Sequence, residues 1–284
     1  MSTEAPTKIR VAHSPDSDDA FMFYALAKDQ IDTEGLTFEH VLQDIETLNR
    51  KALDTAEFEV TAVSIHAYAY LADKYALLSS GASMGEGYGP RLVAKKPFDP
   101  ATELAGKTIA IPGKMTSAYL AMKLYQPDFV AQVVDFDKVM DTVESGQADA
   151  GLIIHEGQLT FADRGFELLL DLGEWWGGET GGLPLPLGGN AIRRDLGEER
   201  MEQVGRLLRE SIQFALDHRE GALDHALAYG RGLDRGQADE FVGMYVNQRT
   251  IDYGDDGREA VRLFLKRGHE AGLIPHAVDV QFVG

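Results

Sequence analysis

Ala148-Asp-Ala150-Gly-Leu-Ile-Ile154-His155-Glu156 is an apolar run that ends on a histidine. Residues 150–154 have the length and branched-residue content of a strand buried on both faces, the kind found in parallel sheets covered by helices. His155 then stands at the carboxyl end of that strand, where open α/β sheets bind their ligands. An imidazole held there titrates near neutrality and can move a proton in either direction, or it can simply cap the strand.

The rest of the chain alternates in the same way. Residues 9–13, 36–42, 59–65 and 75–79 read as strands, separated by helical patterns at 19–28, 45–55 and 66–74. A glycine-rich break, Gly85-Glu-Gly-Tyr-Gly-Pro90, precedes a second block with strands at 108–111, 130–134, 150–154 and 167–171 and helices at 116–125 and 137–145. From about residue 196 the pattern is mostly helical. Alternating strands and helices predict parallel sheets built from crossover units, an α/β fold. Two short extended stretches, Arg91-Leu-Val-Ala94 and Leu187-Gly-Gly-Asn-Ala-Ile-Arg193, flank the middle block. They predict two lobes joined by two crossovers: residues 1–92 and 190–284 form the larger lobe, and 93–189 the smaller, inserted one. A ligand cleft lies between such lobes, and closure about a hinge would exclude water from it.

Composition narrows the function. The 284 residues hold 44% hydrophobic residues, which is ordinary for a soluble globular chain. Lys+Arg 27 against Asp+Glu 46 gives a formal charge of -19, which repels phosphate backbones and anionic bilayers, so neither nucleic acid nor membrane is expected as a partner. The absence of cysteine excludes disulfides, thiolate nucleophiles and Cys-ligated zinc. Met1-Ser-Thr-Glu-Ala-Pro-Thr-Lys-Ile-Arg10 holds an acid and no apolar signal region, which predicts a cytoplasmic protein. The histidines show no His-Glu-x-x-His spacing, so no metal is expected. Nothing in the sequence calls for an obligate protein partner.

Cleft candidates are the residues just after strands or at helix starts. Ile111-Pro-Gly-Lys-Met-Thr116-Ser117 is a strand, a glycine turn and a helix N-terminus, where Thr116 and Ser117 offer hydroxyls beside backbone N–H groups suited to a carboxylate. Both also suit a plain N-cap. Ser64 ends the 59–65 strand and faces the same kind of space. Ser14-Pro-Asp16-Ser-Asp18-Asp19-Ala-Phe21 follows the first strand; it lacks the glycine and glutamate of a calcium loop, so Asp18 or Asp19 is read as a helix cap and Asp16 as a cap that faces solvent, with Asp18 open between that and lining the cleft. Gly85-Glu-Gly-Tyr-Gly lacks phosphate-loop spacing and reads as a flexible connection. Of the adjacent Trp175 and Trp176, one is expected in the core and the other available to an aromatic ligand.

Several segments resemble one family. Asp44-Ile-Glu-Thr-Leu-Asn49, Ala150-Gly-Leu-Ile-Ile-His-Glu156, Leu172-Gly-Glu-Trp-Trp176, Gly182-Leu-Pro-Leu-Pro-Leu-Gly188 and Arg193-Arg-Asp-Leu196 are similar to the 1,4-dihydroxy-6-naphthoate synthases of the futalosine route to menaquinone. The resemblance implies a periplasmic-binding-protein type II fold and a carbon-carbon lyase that converts cyclic de-hypoxanthine futalosine to the dihydroxynaphthoate. It further implies His155 as general base and a small anionic carboxylate substrate held at Thr116 and Ser117, with Ser64, Asp19 and Ser14 as further contacts. Aromatisation would drive the step without a cofactor. The family's usual Ser-Pro-Cys-Pro-Asn-Asp-Thr-Phe appears here as Ser14-Pro-Asp-Ser-Asp-Asp-Ala-Phe21, and His66 stands where an apolar residue is usual. Two alternatives remain open: a chorismate dehydratase-like enzyme of the same pathway, or a non-catalytic solute-binding protein of the same fold.

Overall fold

The computed structural model describes residues 7–230 and 233–284. The opening segment 1–6, read above for export signals, lies outside them. Two sheets organise the chain. The larger contains β1 (Thr7–His13), β2 (Leu36–Leu42), β3 (Val60–Ser64), β4 (Tyr75–Leu78) and β5 (Ser83–Gly85). The smaller follows with β6 (Arg91–Ala94), β7 (Thr108–Ile111), β8 (Val130–Val133), β9 (Ala150–Ile153) and β10 (Glu167–Asp171). The chain then returns to the larger sheet as β11 (Leu185–Arg193) and ends on β12 (Phe282–Val283).

The strand order is β12-β4-β11-β3-β1-β2 in the larger sheet, with β5 on β11, and β10-β6-β9-β7-β8 in the smaller. β1 pairs in parallel with β2 and β3, and β7 with β8 and β9, as the crossover pattern requires. The two returning strands break the all-parallel expectation: β11 runs antiparallel to β3 and β4, and β6 antiparallel to β9 and β10. The chain crosses between sheets just before β6 and just before β11, ahead of the expected boundaries at 92/93 and 189/190, which fall inside those two strands.

Burial on both faces explains why β9, and β6 and β7 after their first residues, are apolar. Leu92, Ile109 and Leu152 face a core shared with Val63, Leu77 and Ala191 of the larger sheet, while Val93, Ala110 and Ile153 pack on Val139 and Val143 on the other face. The helix Ser117–Tyr125 supplies Leu120, Ala121 and Met122 to the shared core and thereby welds the two sheets together. Behind the larger sheet, Ile9, Val11, Val60 and Ile192 pack against Val204, Leu207 and Ile212 of the helix Glu198–Asp217. Among the described residues no helix is long and apolar enough to cross a membrane.

Three elements depart from the sequence expectations. The helical pattern at 19–28 begins earlier, at Ser17, and divides at Phe23 into Ser17–Met22 and Tyr24–Ala27. In the pattern at 66–74 only Ile65–Tyr68 is helical; Tyr70, Leu71 and Lys74 then donate to the carbonyls three residues back, and these tight turns end the helix. The break at 85–90 is a packed crossing of two backbones rather than a loose connection. A Cβ at Gly85 would lie 2.0 Å from the Tyr88 carbonyl oxygen, one at Gly173 only 1.9 Å from it, and one at Gly89 2.8 Å from the Gly173 nitrogen. Only hydrogen side chains fit there.

This crossing predicts opposite responses from two glycines of one helix, Leu172–Thr180. Gly173→Ala must displace the Tyr88 backbone and is expected to cost about 3 kcal/mol or more. A Cβ at Gly177 meets nothing within 4 Å, so Gly177→Ala is expected to gain ~0.5–1 kcal/mol from helix propensity. Thermal denaturation of the two variants checks the pair; equal effects would contradict the close-approach account.

Candidate functional site

The cleft opens at the carboxyl ends of the parallel strands of both sheets. β1 delivers Ser14 and the acidic turn, β3 delivers Ser64, β7 leads to Thr116 and Ser117, and β9 leads to Ile154. Because β11 runs antiparallel with Gly188 opposite Ser64, its first half closes the cleft as a wall of Leu187, Gly188, Gly189 and Asn190. Gly189 must be small, since a Cβ there would lie 2.2 Å from the Tyr253 hydroxyl. Phe241 and Tyr245, from the helix Arg235–Tyr245, complete the apolar part of the lining.

At one end of the cleft lies the N-terminus of the helix Ser117–Tyr125. Thr116 is its N-cap: the Oγ1 accepts from Tyr119 N–H at 3.1 Å and donates to the Gly113 carbonyl at 2.9 Å. The Ser117 Oγ accepts from His66 N–H at 3.2 Å and donates to the Leu187 carbonyl at 2.6 Å, so it ties the smaller sheet's helix to two segments of the larger sheet. Both hydroxyls are thus committed to protein partners. What this turn offers a ligand is the backbone N–H of Ser117 and Ala118, which have no acceptor within the helix. Ser64 stands beside them: its Oγ accepts from Asn49 Nδ2 at 3.0 Å while its N–H donates to Asn49 Oδ1 at 2.9 Å. With the fully buried Asn49 donating to it, the Ser64 hydroxyl at the cleft keeps its own proton for another acceptor.

The acidic turn lines the other side. Asp16, Asp18 and Asp19 all border the cleft with Ser14, which corrects the reading of Asp16 as solvent-facing and of Asp18 or Asp19 as caps. Asp16 occupies the N-cap position without making a side-chain cap bond. Its Oδ2 instead accepts from Ser14 Oγ at 2.9 Å, and Asp19 Oδ2 reaches back to Ser14 N–H at 2.7 Å, so both carboxyls fold over the strand end. Burial, then the charges of Asp19, Asp16 and Glu156, push the Asp18 carboxyl well above the usual carboxylate range. Burial also raises Asp19, to about 6, against the hydrogen bond from Ser14 N–H that lowers it. Both shifts favour the protonated form in this crowded turn.

His155 lies in a side bay of this cleft with Pro15, Asp16, Asp44, Ile45, Phe136 and Ile154; Asp16, Ile45 and Ile154 border both spaces. Its Nδ1 accepts from Gly157 N–H at 3.0 Å, so the proton of the neutral ring sits on Nε2 and is donated to the Phe136 carbonyl at 3.0 Å. Both ring nitrogens are engaged within the bay, and a lone pair reaches the main cleft only if the ring turns. His66 is outside the cleft lining. Its Nδ1–H donates to the Thr116 carbonyl at 3.3 Å, and burial lowers it to about 4. Neither tryptophan lines the cleft, contrary to expectation: Trp176 is fully buried and donates to the Pro184 carbonyl at 3.0 Å, and Trp175 packs edge-on against Tyr125. Among the described residues no group of three His, Asp or Glu could hold a metal ion.

The structure therefore brings together Ser14, Asp19, Ser64, Thr116 and Ser117, and sets His155 one step aside. Asn49, Gln158, Asn190 and Tyr245 are cleft or support residues that the sequence reading missed. The Tyr245 hydroxyl donates to Gln158 Oε1 at 2.8 Å across the cleft, a contact between positions 87 apart that no local pattern signals. Asn49 alone carried a signal, at the end of the quoted Asp44-Ile-Glu-Thr-Leu-Asn49 segment.

Comparison with known proteins follows this geometry. A family model described as menaquinone biosynthesis matches residues 9–270. A 1,4-dihydroxy-6-naphthoate synthase of Thermus thermophilus is 39% identical over 265 residues, 93% of this chain and 95% of that protein. A crystal structure of a protein from Archaeoglobus fulgidus is 50% identical, with a TM-score of 0.89 over 94% of this chain and 98% of that one. The alkanesulfonate-binding protein of Xanthomonas axonopodis pv. citri, solved with bound MOPS, has a TM-score of 0.72 over 97% of both chains at 13% identity. That last likeness establishes the periplasmic-binding-protein fold and nothing about ligand.

The acidic turn carries a stability cost with a definite sign. In the unfolded chain Asp19 ionises near the ordinary aspartate value of 3.8, whereas in the folded chain it keeps its proton to about 6. Stability therefore falls as pH rises through that window and is level above it. Asp19→Asn is expected to raise stability by about 2 kcal/mol at pH 7.5 and to change it little near pH 4, read by thermal melts at both pH values. Destabilisation at both would make Asp19 a structural anchor only.

Proposed function

The chain belongs to the menaquinone-biosynthesis family, and from that premise we propose that it is a 1,4-dihydroxy-6-naphthoate synthase-type carbon-carbon lyase acting on cyclic de-hypoxanthine futalosine. The observation that carries this reading is the cleft itself: a helix N-terminus and a fixed serine donor at one end, and a histidine one rotation away. The substrate carboxylate sits on the N–H groups of Ser117 and Ala118 and takes the Ser64 hydroxyl. Thr116 and Ser117 hold that turn in place through their hydroxyls, and Ser14 and Asp19 border the far end.

His155 is the general base. It removes a proton from the cyclised substrate; the electron pair of that bond moves into the ring system, the carbon-carbon bond to the sugar-derived fragment breaks, and the fragment leaves with that bond's electron pair and takes up a proton. Aromatisation makes the step downhill. The residues at hand suffice for it, and the protein needs no partner chain or cofactor for this chemistry. The upward shift of Asp18 matters here, because three ionised carboxylates in one turn would repel an anionic substrate and the shift favours the protonated form. A biosynthetic role and the lack, among described residues, of any membrane-spanning helix support work in the cytoplasm. The crossovers before β6 and β11 are the hinge about which the lobe of the smaller sheet closes on that of the larger.

Purified protein incubated with cyclic de-hypoxanthine futalosine is expected to release 1,4-dihydroxy-6-naphthoate, followed by liquid chromatography. His155→Asn should lower kcat by about 10²-fold or more with substrate affinity kept. Ser64→Ala should weaken binding by a factor of about 10, the value of one hydrogen bond to a charged group. No product from the wild type would end the assignment; near-normal turnover in His155→Asn would remove the base.

A further inference from the structure

His155 as base has a problem of geometry: in its bay both ring nitrogens already hold partners, Gly157 N–H on Nδ1 and the Phe136 carbonyl on Nε2. A ring that turns toward the substrate gives up at least one of them, and a protonated ring gives up the Gly157 bond altogether, since both nitrogens then donate. Something at the mouth of the bay must receive the ring's N–H. Among the described residues the charged groups around the ring are Asp16, Asp44 and Glu156, and no lysine or arginine lines the bay. Asp44 is committed as a helix cap, with Oδ1 on Thr47 N–H at 3.0 Å and Oδ2 on Thr47 Oγ1 at 2.5 Å. Glu156 Oε2 is 3.9 Å from Nδ1, beyond hydrogen-bond reach. Asp16 alone of the three borders both the bay and the cleft, and Ser14 Oγ steadies it there at 2.9 Å.

Resting on the reading of His155 as base, we propose that Asp16 is the positioning residue that receives the turned ring: its carboxylate accepts the ring N–H given up by the Phe136 carbonyl and stabilises the imidazolium that forms. The balance is simple. The substrate C–H bond breaks, its electron pair stays with the substrate, the proton forms a new N–H on the ring, and Asp16 keeps its charge beside the cation. A carboxylate that fixes one imidazole nitrogen so that the other can act as base is a recurring catalytic arrangement.

Asp16→Asn tests it. Asparagine is a good residue for this N-cap position, so the fold tolerates the change. Removing the charge lowers the pKa of a neighbouring imidazole, and because the neutral ring is the active form, the acid limb of kcat/KM should move to lower pH. NMR titration of histidine-labelled protein, with the His155 resonance assigned from His155→Asn, should show the His155 midpoint about one pH unit lower in Asp16→Asn. The kinetic limb should move with it, and kcat should fall about tenfold with KM no higher. A His155 midpoint that does not move overturns the pairing whatever the kinetics do. A midpoint that moves while the kinetic limb stays sustains the pairing and removes His155 as the base instead.

Discussion

The Ser117 hydroxyl is the contact on which the site depends. It receives the His66 N–H and gives its own proton to the Leu187 carbonyl, so one atom joins the smaller sheet's helix to the end of β3 and to the returning strand β11. Glu46 adds a second tie by accepting the Met115 N–H at 3.1 Å. With the helix N-terminus held at that point, Ser117 and Ala118 line the cleft beside Ser64, and the apolar residues behind them close the shared core. The same feature explains why Thr116 and Ser117 suit both a cap and an anion site: side chains do the first and backbone the second.

The cleft's electrostatics follow from concentrating acids where an anion is to bind. The chain meets this by burial. Burial shifts Asp18 toward its protonated form, the Ser14 N–H holds Asp19, and Asp16 borders the histidine bay. Such a turn is destabilising relative to polar neutral residues, and strained or costly groups of this kind collect where a protein has a task for them.

Much of this was legible in the sequence. The apolar runs before Ser64, Thr116 and His155 gave the strands, and the rule that ligands sit at strand ends located three sides of the cleft correctly. The fourth side was not legible, because it depends on register: nothing local indicates that Gly188 lies opposite Ser64, or that Tyr245 meets Gln158. Periodicity misjudged the acidic turn for a related reason. An aspartate at a helix start reads as a cap, but here Ser14 draws the Asp16 carboxyl back over the strand end, a tertiary choice that overrides local preference. The glycines at 85, 89 and 173 looked like freedom and are instead the condition for two backbones to touch.

A structure of the protein with 1,4-dihydroxy-6-naphthoate bound tests the central claim most directly. The account predicts the product carboxylate within hydrogen-bond distance of the Ser117 and Ala118 N–H groups and the Ser64 hydroxyl, with the His155 ring turned out of its bay toward the aromatic rings. A carboxylate bound elsewhere in the cleft, with His155 still donating to the Phe136 carbonyl, would contradict it.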